Sequence, residues 1–249
     1  EFPPRQGYIW FTVTAAAEDG TESPIADPIV WPEVEQVKMG LTRPIGTAFG
    51  PDGAMYVIDN HIGTVFGVDA KGSLINMSDT ALIGSGSIMD ITVTPANRIF
   101  VAARWAQGVV EIDSKTHTVI SRFGESKRIG EGRDDFAYPA RITSDAQNRL
   151  FVLYPDLKRI EVRDSDGKHV GTIENEFHDA RDVAVHAAGD RLLVAIAEFG
   201  ANRVTELELR ADSLQELGRA TIVDPGMKPL SVCYDEAGRL YVGTQDGID

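Results

Sequence analysis

Asp59 and Asn60 stand side by side and offer a carboxylate and an amide oxygen, ligands of the kind that a hard divalent cation prefers. His61 follows them and His178 lies in a later loop; either imidazole would serve as a base beside such an ion. A turn in which Asp and Asn bond their own backbone accounts for the same pair without a metal. The five histidines (61, 117, 169, 178 and 186) show no metal-ligand spacing among themselves. A second set suits binding: Trp105, Tyr154 and Phe199, with Arg104, Arg181 and Gln245. Large rings stack on sugars and anchor protein partners at low entropic cost. Nucleophilic catalysis has little to work with. Cys233 sits in an apolar strand pattern that predicts a buried, inert thiol, and there is no Gly-x-Ser-x-Gly elbow. Gly84-Ser85-Gly86-Ser87 lacks the lysine and helix of a phosphate loop.

The elements that must position these residues form a repeat. A turn rich in Gly, Asn or Asp precedes a short apolar cluster five times: Pro51 to Val57, Ala96 to Val101, Gln147 to Val152, Gly189 to Val194, and Ala237 to Val242. The closing valines are 44, 51, 42 and 48 residues apart. That average of about 46 matches one four-stranded propeller blade. A short apolar strand leads into each turn, and an alternating strand such as Val65-Phe66-Gly67-Val68 or Ile160-Glu161-Val162 follows the cluster. Asp69 to Gly72 and Asp164 to Gly167 then read as hairpin turns before a weaker fourth strand. Val204 to Leu209 alternates and reads as strand rather than helix. The expected fold is an all-β propeller of four-stranded antiparallel blades.

Arg122-Phe123-Gly124, then Gly130-Glu131-Gly132, then Phe136-Ala137-Tyr138-Pro139 is similar to the blade-to-blade linker of NHL repeats, a likeness that covers residues 41 to 249. Asn202-Arg203-Val204 and Lys158-Arg159-Ile160 also resemble the NHL strand opening. Asp59-Asn60 is similar to the channel ligands of lactonase-type propellers, which implies a calcium or zinc ion there; the equivalent places in the next two repeats hold Arg104 and Tyr154 instead. Residues 41 to 223 supply four units and residues 229 to 249 only two strands of a fifth. Two readings fit the N-terminal segment of residues 1 to 40. Ile9 to Thr14 and Ile25 to Trp31 would complete a fifth blade and close the ring, protecting an otherwise open edge. Alternatively, Tyr8 to Pro24 resembles the last strands of a fibronectin type III domain.

Composition narrows the function. The chain has 249 residues with 24 basic and 38 acidic side chains, a formal charge of −14, which argues against nucleic-acid binding through a basic footprint. Hydrophobic residues at 43% indicate an ordinary globular core. A single cysteine excludes an intrachain disulfide framework, and no apolar run approaches the roughly 20 residues that span a bilayer. The first and last residues suggest a piece of something longer, on a cell surface or a virion. The sequence therefore predicts a non-enzymatic binding or structural module, part of a larger assembly, whose mouth loops meet a protein or glycan partner. The alternative is a metal-dependent lactonase or lyase acting at the central channel, with Asp59 and Asn60 as ligands.

Overall fold

The recurring turn owes its composition to one backbone angle. Gly53, Asn97, Asn148, Gly189 and Gly238 all take positive φ, between 59° and 79°. Glycine reaches that region freely and asparagine at modest cost, so the position selects those two residue types. In four of the five turns this residue donates its N–H to the carbonyl three residues earlier, from Gly53 to Gly50, Asn97 to Thr94, Asn148 to Asp145 and Gly238 to Asp235. The fourth repeat instead links Ala188 and Arg191 through Gly189 and Asp190 alone.

The computed structural model describes residues 43–75, 88–104, 108–116, 118–124, 127–128, 136–223, 226 and 228–245. The first blade comprises β1 (Pro44–Phe49), β2 (Met55–Asp59), β3 (Thr64–Val68) and β4 (Leu74–Ile75). The second comprises β5 (Ile88–Val93), β6 (Ile99–Ala103), β7 (Gly108–Ile112) and β8 (Val119–Phe123). A linker hairpin pairs β9 (Lys127–Arg128) with β10 (Phe136–Ala137). The third blade is β11 (Arg141–Ser144), β12 (Leu150–Tyr154), β13 (Arg159–Arg163) and β14 (His169–Glu174). The fourth is β15 (Ala180–Ala188), β16 (Arg191–Glu198), β17 (Arg203–Arg210) and β18 (Glu216–Val223), so Val204 to Leu209 is strand, as its alternation predicts. A pair, β19 (Pro229–Tyr234) and β20 (Leu240–Thr244), completes the described residues. Every blade is an antiparallel meander in chain order.

The second strands of the second and third blades are buried on both faces, which is why their sequences read as continuous apolar runs. Alternate side chains enter different inter-blade cores. Ile99, Val101 and Ala103 pack toward the first blade, whereas Phe100 and Ala102 pack toward the third with Ile142, Leu150, Val152 and Tyr154. Phe151 and Leu153 of the third blade join Val194 and Ile196 of the fourth. A smaller core of Ala184, Ala195, Ala197 and Val204 receives Val232 of the last pair. The first strands of successive units lie side by side, β1 by β5, β5 by β11, β11 by β15 and β15 by β19, forming the inner edge.

The described residues thus contain four complete blades and a two-stranded fifth unit, not the five closed blades expected. The N-terminal strands assigned to blade completion, and the fibronectin-like alternative, lie outside the described residues.

Candidate functional site

The inner strands carry one row of residues at a common register. Gly46, Asp90, Arg141, Asp182 and Ser231 each precede their positive-φ turn residue by seven positions. In β1, β5, β15 and β19 the pairing with the second strand slips immediately before this position. Such bulges re-aim the side chain that follows.

Three neighbours in the row are charged. Asp90 reaches across to the third blade, where its Oδ2 accepts the Ile142 N–H at 2.9 Å. Its Oδ1 lies 3.4 Å from where a Cβ on Gly46 would stand, so the missing side chain in the first blade leaves room for the carboxylate. Arg141 donates to the Ala140 carbonyl at 2.8 Å and places its Nε 3.7 Å from Asp182 Oδ1. Asp182 Oδ2 in turn accepts the Val232 N–H of the last pair at 3.0 Å. All three side chains are half-buried and keep contact with solvent.

Their electrostatics follow from that placement. Burial pushes the Asp90 carboxyl up to about 7; the Ile142 N–H and the Arg141 charge pull it down, and the Asp182 carboxylate adds to the rise. Burial raises Asp182 as well, against the Val232 N–H and Arg141. A carboxyl that exchanges its proton near neutrality, beside a fixed guanidinium, has the makings of a general acid or base with a partner for negative charge.

The residues expected from sequence fare differently. Asp59 is fully buried at the end of β2, where Oδ2 accepts the Arg43 N–H at 2.8 Å and Oδ1 accepts those of His61 and Ile62 at 2.9 and 3.2 Å. The Asn60 amide donates to the Ile88 carbonyl of the next blade. These groups tie backbone together and do not converge on a calcium or zinc ion. Among the described residues no group of three or more His, Cys, Asp and Glu is placed to hold a metal. His61 and His178 are exposed on separate loops. Tyr154 is 1% exposed and packs between the second and third blades, so it cannot stack on a ligand from solution. Arg104 lies over the Tyr138 ring at 4.6 Å. Trp105 lies outside the described residues. Cys233 is exposed rather than buried, yet desolvation of its sulfur and the Asp182 and Asp235 carboxylates push its thiol up, which leaves it a poor nucleophile.

Three of the expected residues are brought together. Phe199 opens a 3-10 turn, Phe199–Ala201, with Arg181 at 5.1 Å and Lys228 at 5.0 Å from its ring centre. Gln245 joins through its backbone N–H, which donates to the Lys228 carbonyl at 3.0 Å. Sequence reasoning missed Asp90, Arg141 and Asp182, because it looked for function only in loops. The signal was present: aligning the repeats on the turn residue puts all three in one column.

No protein-family model matches the chain, the NHL family included, and no curated protein matches it. Solved structures do match. Hydrazine synthase of Kuenenia stuttgartiensis is 17% identical with a TM-score of 0.63; the match covers 86% of this chain and 58% of that one. Virginiamycin B lyase of Staphylococcus aureus is 14% identical with a TM-score of 0.59, over 94% and 75% of the two chains. A gluconolactonase of Xanthomonas campestris is 13% identical with a TM-score of 0.58, over 82% and 70%. This chain therefore spans little more than half the length of the hydrazine synthase chain. These neighbours are enzymes, which corrects the expectation of a non-enzymatic binding module and gives the enzymatic alternative the better support. At such identities the likeness establishes the architecture, and the chain is an all-β propeller of four-stranded antiparallel blades.

Proposed function

We propose that this chain belongs to an enzyme whose proton-transfer chemistry takes place on the inner edge of the propeller, at Asp90, Arg141 and Asp182. The observation that carries the reading is their juxtaposition: three charged groups at one register on three successive inner strands. The Asp90 carboxylate takes a proton, either from water as it adds to a lactone carbonyl or from the carbon beside a departing oxygen in an elimination. Negative charge then grows on the substrate oxygen and meets the Arg141 guanidinium, which Asp182 orients. A gluconolactonase and a virginiamycin B lyase stand among the structural neighbours, and these two chemistries are chosen to suit those names. The reading assigns no metal, since Asp59 and Asn60 are committed to backbone.

The test is turnover of gluconolactone, other aldonolactones and the cyclic depsipeptide quinupristin, the last because a virginiamycin B lyase structure holds it. Asp90→Asn keeps an oxygen acceptor for Ile142 but cannot take a proton. It should slow turnover by about a hundredfold or more. Failure to consume any of these substrates, or an unimpaired Asp90→Asn variant, refutes the assignment.

A further inference from the structure

From Arg181, Phe199 and Lys228 we infer a subsite at the rim of the inner edge that takes the oxyanion of a negatively charged substrate. This deepens the proposed function and rests on it for the identity of the ligand as substrate. The three residues come from separate segments and are individually fixed. Phe199 N–H donates to the Asp179 carbonyl at 3.1 Å and Gly200 N–H to that of His178 at 3.1 Å, which ties the 3-10 turn to the linker before β15. Lys228 adopts φ of 42°, a costly angle for a side chain of its kind, and its carbonyl is held by Gln245. The Phe199 ring holds both cations near it through its π cloud.

The two cations differ in what they have left to give. Arg181 already pairs with Asp179 at 2.8 Å. The Lys228 ammonium has no carboxylate at ion-pair distance among the described residues and is only half-buried, so it retains charge to offer an incoming anion. In a chain of net charge −14, a pair of cations fixed on an aromatic ring is a local reversal of sign. The position also fits. Arg181 immediately precedes Asp182, and Lys228 lies three residues before Ser231 at the same register. At about 3.3 Å per residue the Lys228 backbone stands roughly 10 Å along the chain from Ser231. A substrate bearing a carboxylate or phosphate several bonds from its reacting ester spans that distance.

Binding of gluconate and of inorganic phosphate, followed by NMR of the intact chain labelled at lysine methylenes, tests the inference without any turnover. Both anions should shift the Lys228 signal, glucose should not, and raising the salt should weaken the effect. Lys228→Gln and Arg181→Gln should each weaken binding about fivefold, with Lys228→Arg retaining it. Asp90→Asn should bind the anions as well as the parent chain does. Anion affinity unchanged in Lys228→Gln, or glucose binding as tightly as gluconate, overturns the subsite. If Asp90→Asn retains turnover while the lysine variants lose anion binding, the catalytic assignment fails and the subsite stands.

Discussion

Replacing Asp90 by Asn should stabilise the protein at pH 8 and leave it unchanged at pH 3. In the folded chain the carboxyl titrates near 7, against 3.8 for an ordinary Asp. Below 3.8 it is protonated in both folded and unfolded states and costs nothing. Between 3.8 and about 7 the unfolded chain releases the proton while the folded chain keeps it, so stability falls as pH rises. Above 7 the penalty is constant. At 1.36 kcal/mol per tenfold, the full gap corresponds to about 4 kcal/mol. Partial solvent contact reduces it, and about 2 kcal/mol is expected. Asn avoids the penalty because its side chain is neutral, while its oxygen still accepts the Ile142 N–H. Urea unfolding of both proteins at pH 3, 5 and 8 supplies the comparison. The two curves of stability against pH should coincide at acid pH and diverge upward for the variant. Parallel curves, or a less stable variant at pH 8, would show that the folded state does not hold this carboxyl protonated, and the assignment of Asp90 as the proton carrier would fall with it.

Other consequences are as direct. Turnover that uses Asp90 as a base should rise with pH through about 7 and then level off, and that rise should vanish from the residual rate of Asp90→Asn. Glu198 behaves in the opposite sense. Burial alone would raise its carboxyl, but hydrogen bonds from Arg203, Thr205 and the His178 N–H outweigh it and hold the group below its ordinary 4.5. Its contribution is therefore complete above 4.5 and lost as pH falls through the lower folded value, and Glu198→Gln should cost about 2 kcal/mol at pH 7 in a urea titration. Gly167 takes φ of 86°, and a Cβ there would stand 2.5 Å from the Phe123 ring of the neighbouring blade. Gly167→Ala should lower thermal stability by about 2 kcal/mol, read by calorimetry.

The blades were legible because their two strongest constraints are local. A turn that needs positive φ admits Gly or Asn, and a strand buried on both faces admits only apolar residues, so each unit writes its own signature in sequence. Tyr154 was misread for the same reason. It follows four apolar residues and precedes Pro155, which looks like a strand end reaching solvent, yet the preceding blade covers that end completely. Asp59 and Glu198 occupy the corresponding last position of β2 and β16, where each carboxylate takes up an N–H of the preceding linker. An acidic residue there signals a linker that must be held rather than a ligand for an ion. The charged row was hidden by another effect. Its members are separated by 51 and 41 residues from Asp90 to Asp182, and only the shared register on the inner edge makes them neighbours.

The row also explains why chemistry could settle there without loosening the fold. Asp90 joins the second blade to the third, and Asp182 joins the fourth to the last pair, each through one strand N–H. Gly46 cannot make such a bond, and the Asn60 amide links the first blade to the second in its place. Arg141 cannot accept an N–H either, so at the inner edge the junction of the third and fourth blades relies on its looser contact with Asp182, with Arg149 donating to the Ala211 carbonyl farther along the same junction. That junction encloses the largest inter-blade core among the described residues, with Phe151, Leu153, Phe177 and Ile196 fully buried or nearly so. Packing on this scale outweighs one missing hydrogen bond, since burying one such aromatic or aliphatic side chain contributes about 2 kcal/mol and a hydrogen bond about 1. The inner edge can therefore tolerate a guanidinium at the one junction where the core beneath it is strongest. Reversing the exchange, with Arg141→Asp, should add a carboxylate to receive an N–H from β15 but set three acidic groups in a row. The Asp90 carboxyl should then titrate higher still, and turnover at pH 7 should fall because the base is protonated and its cationic partner is gone. A variant that keeps the parent pH profile would mean that Arg141 exerts no hold on Asp90.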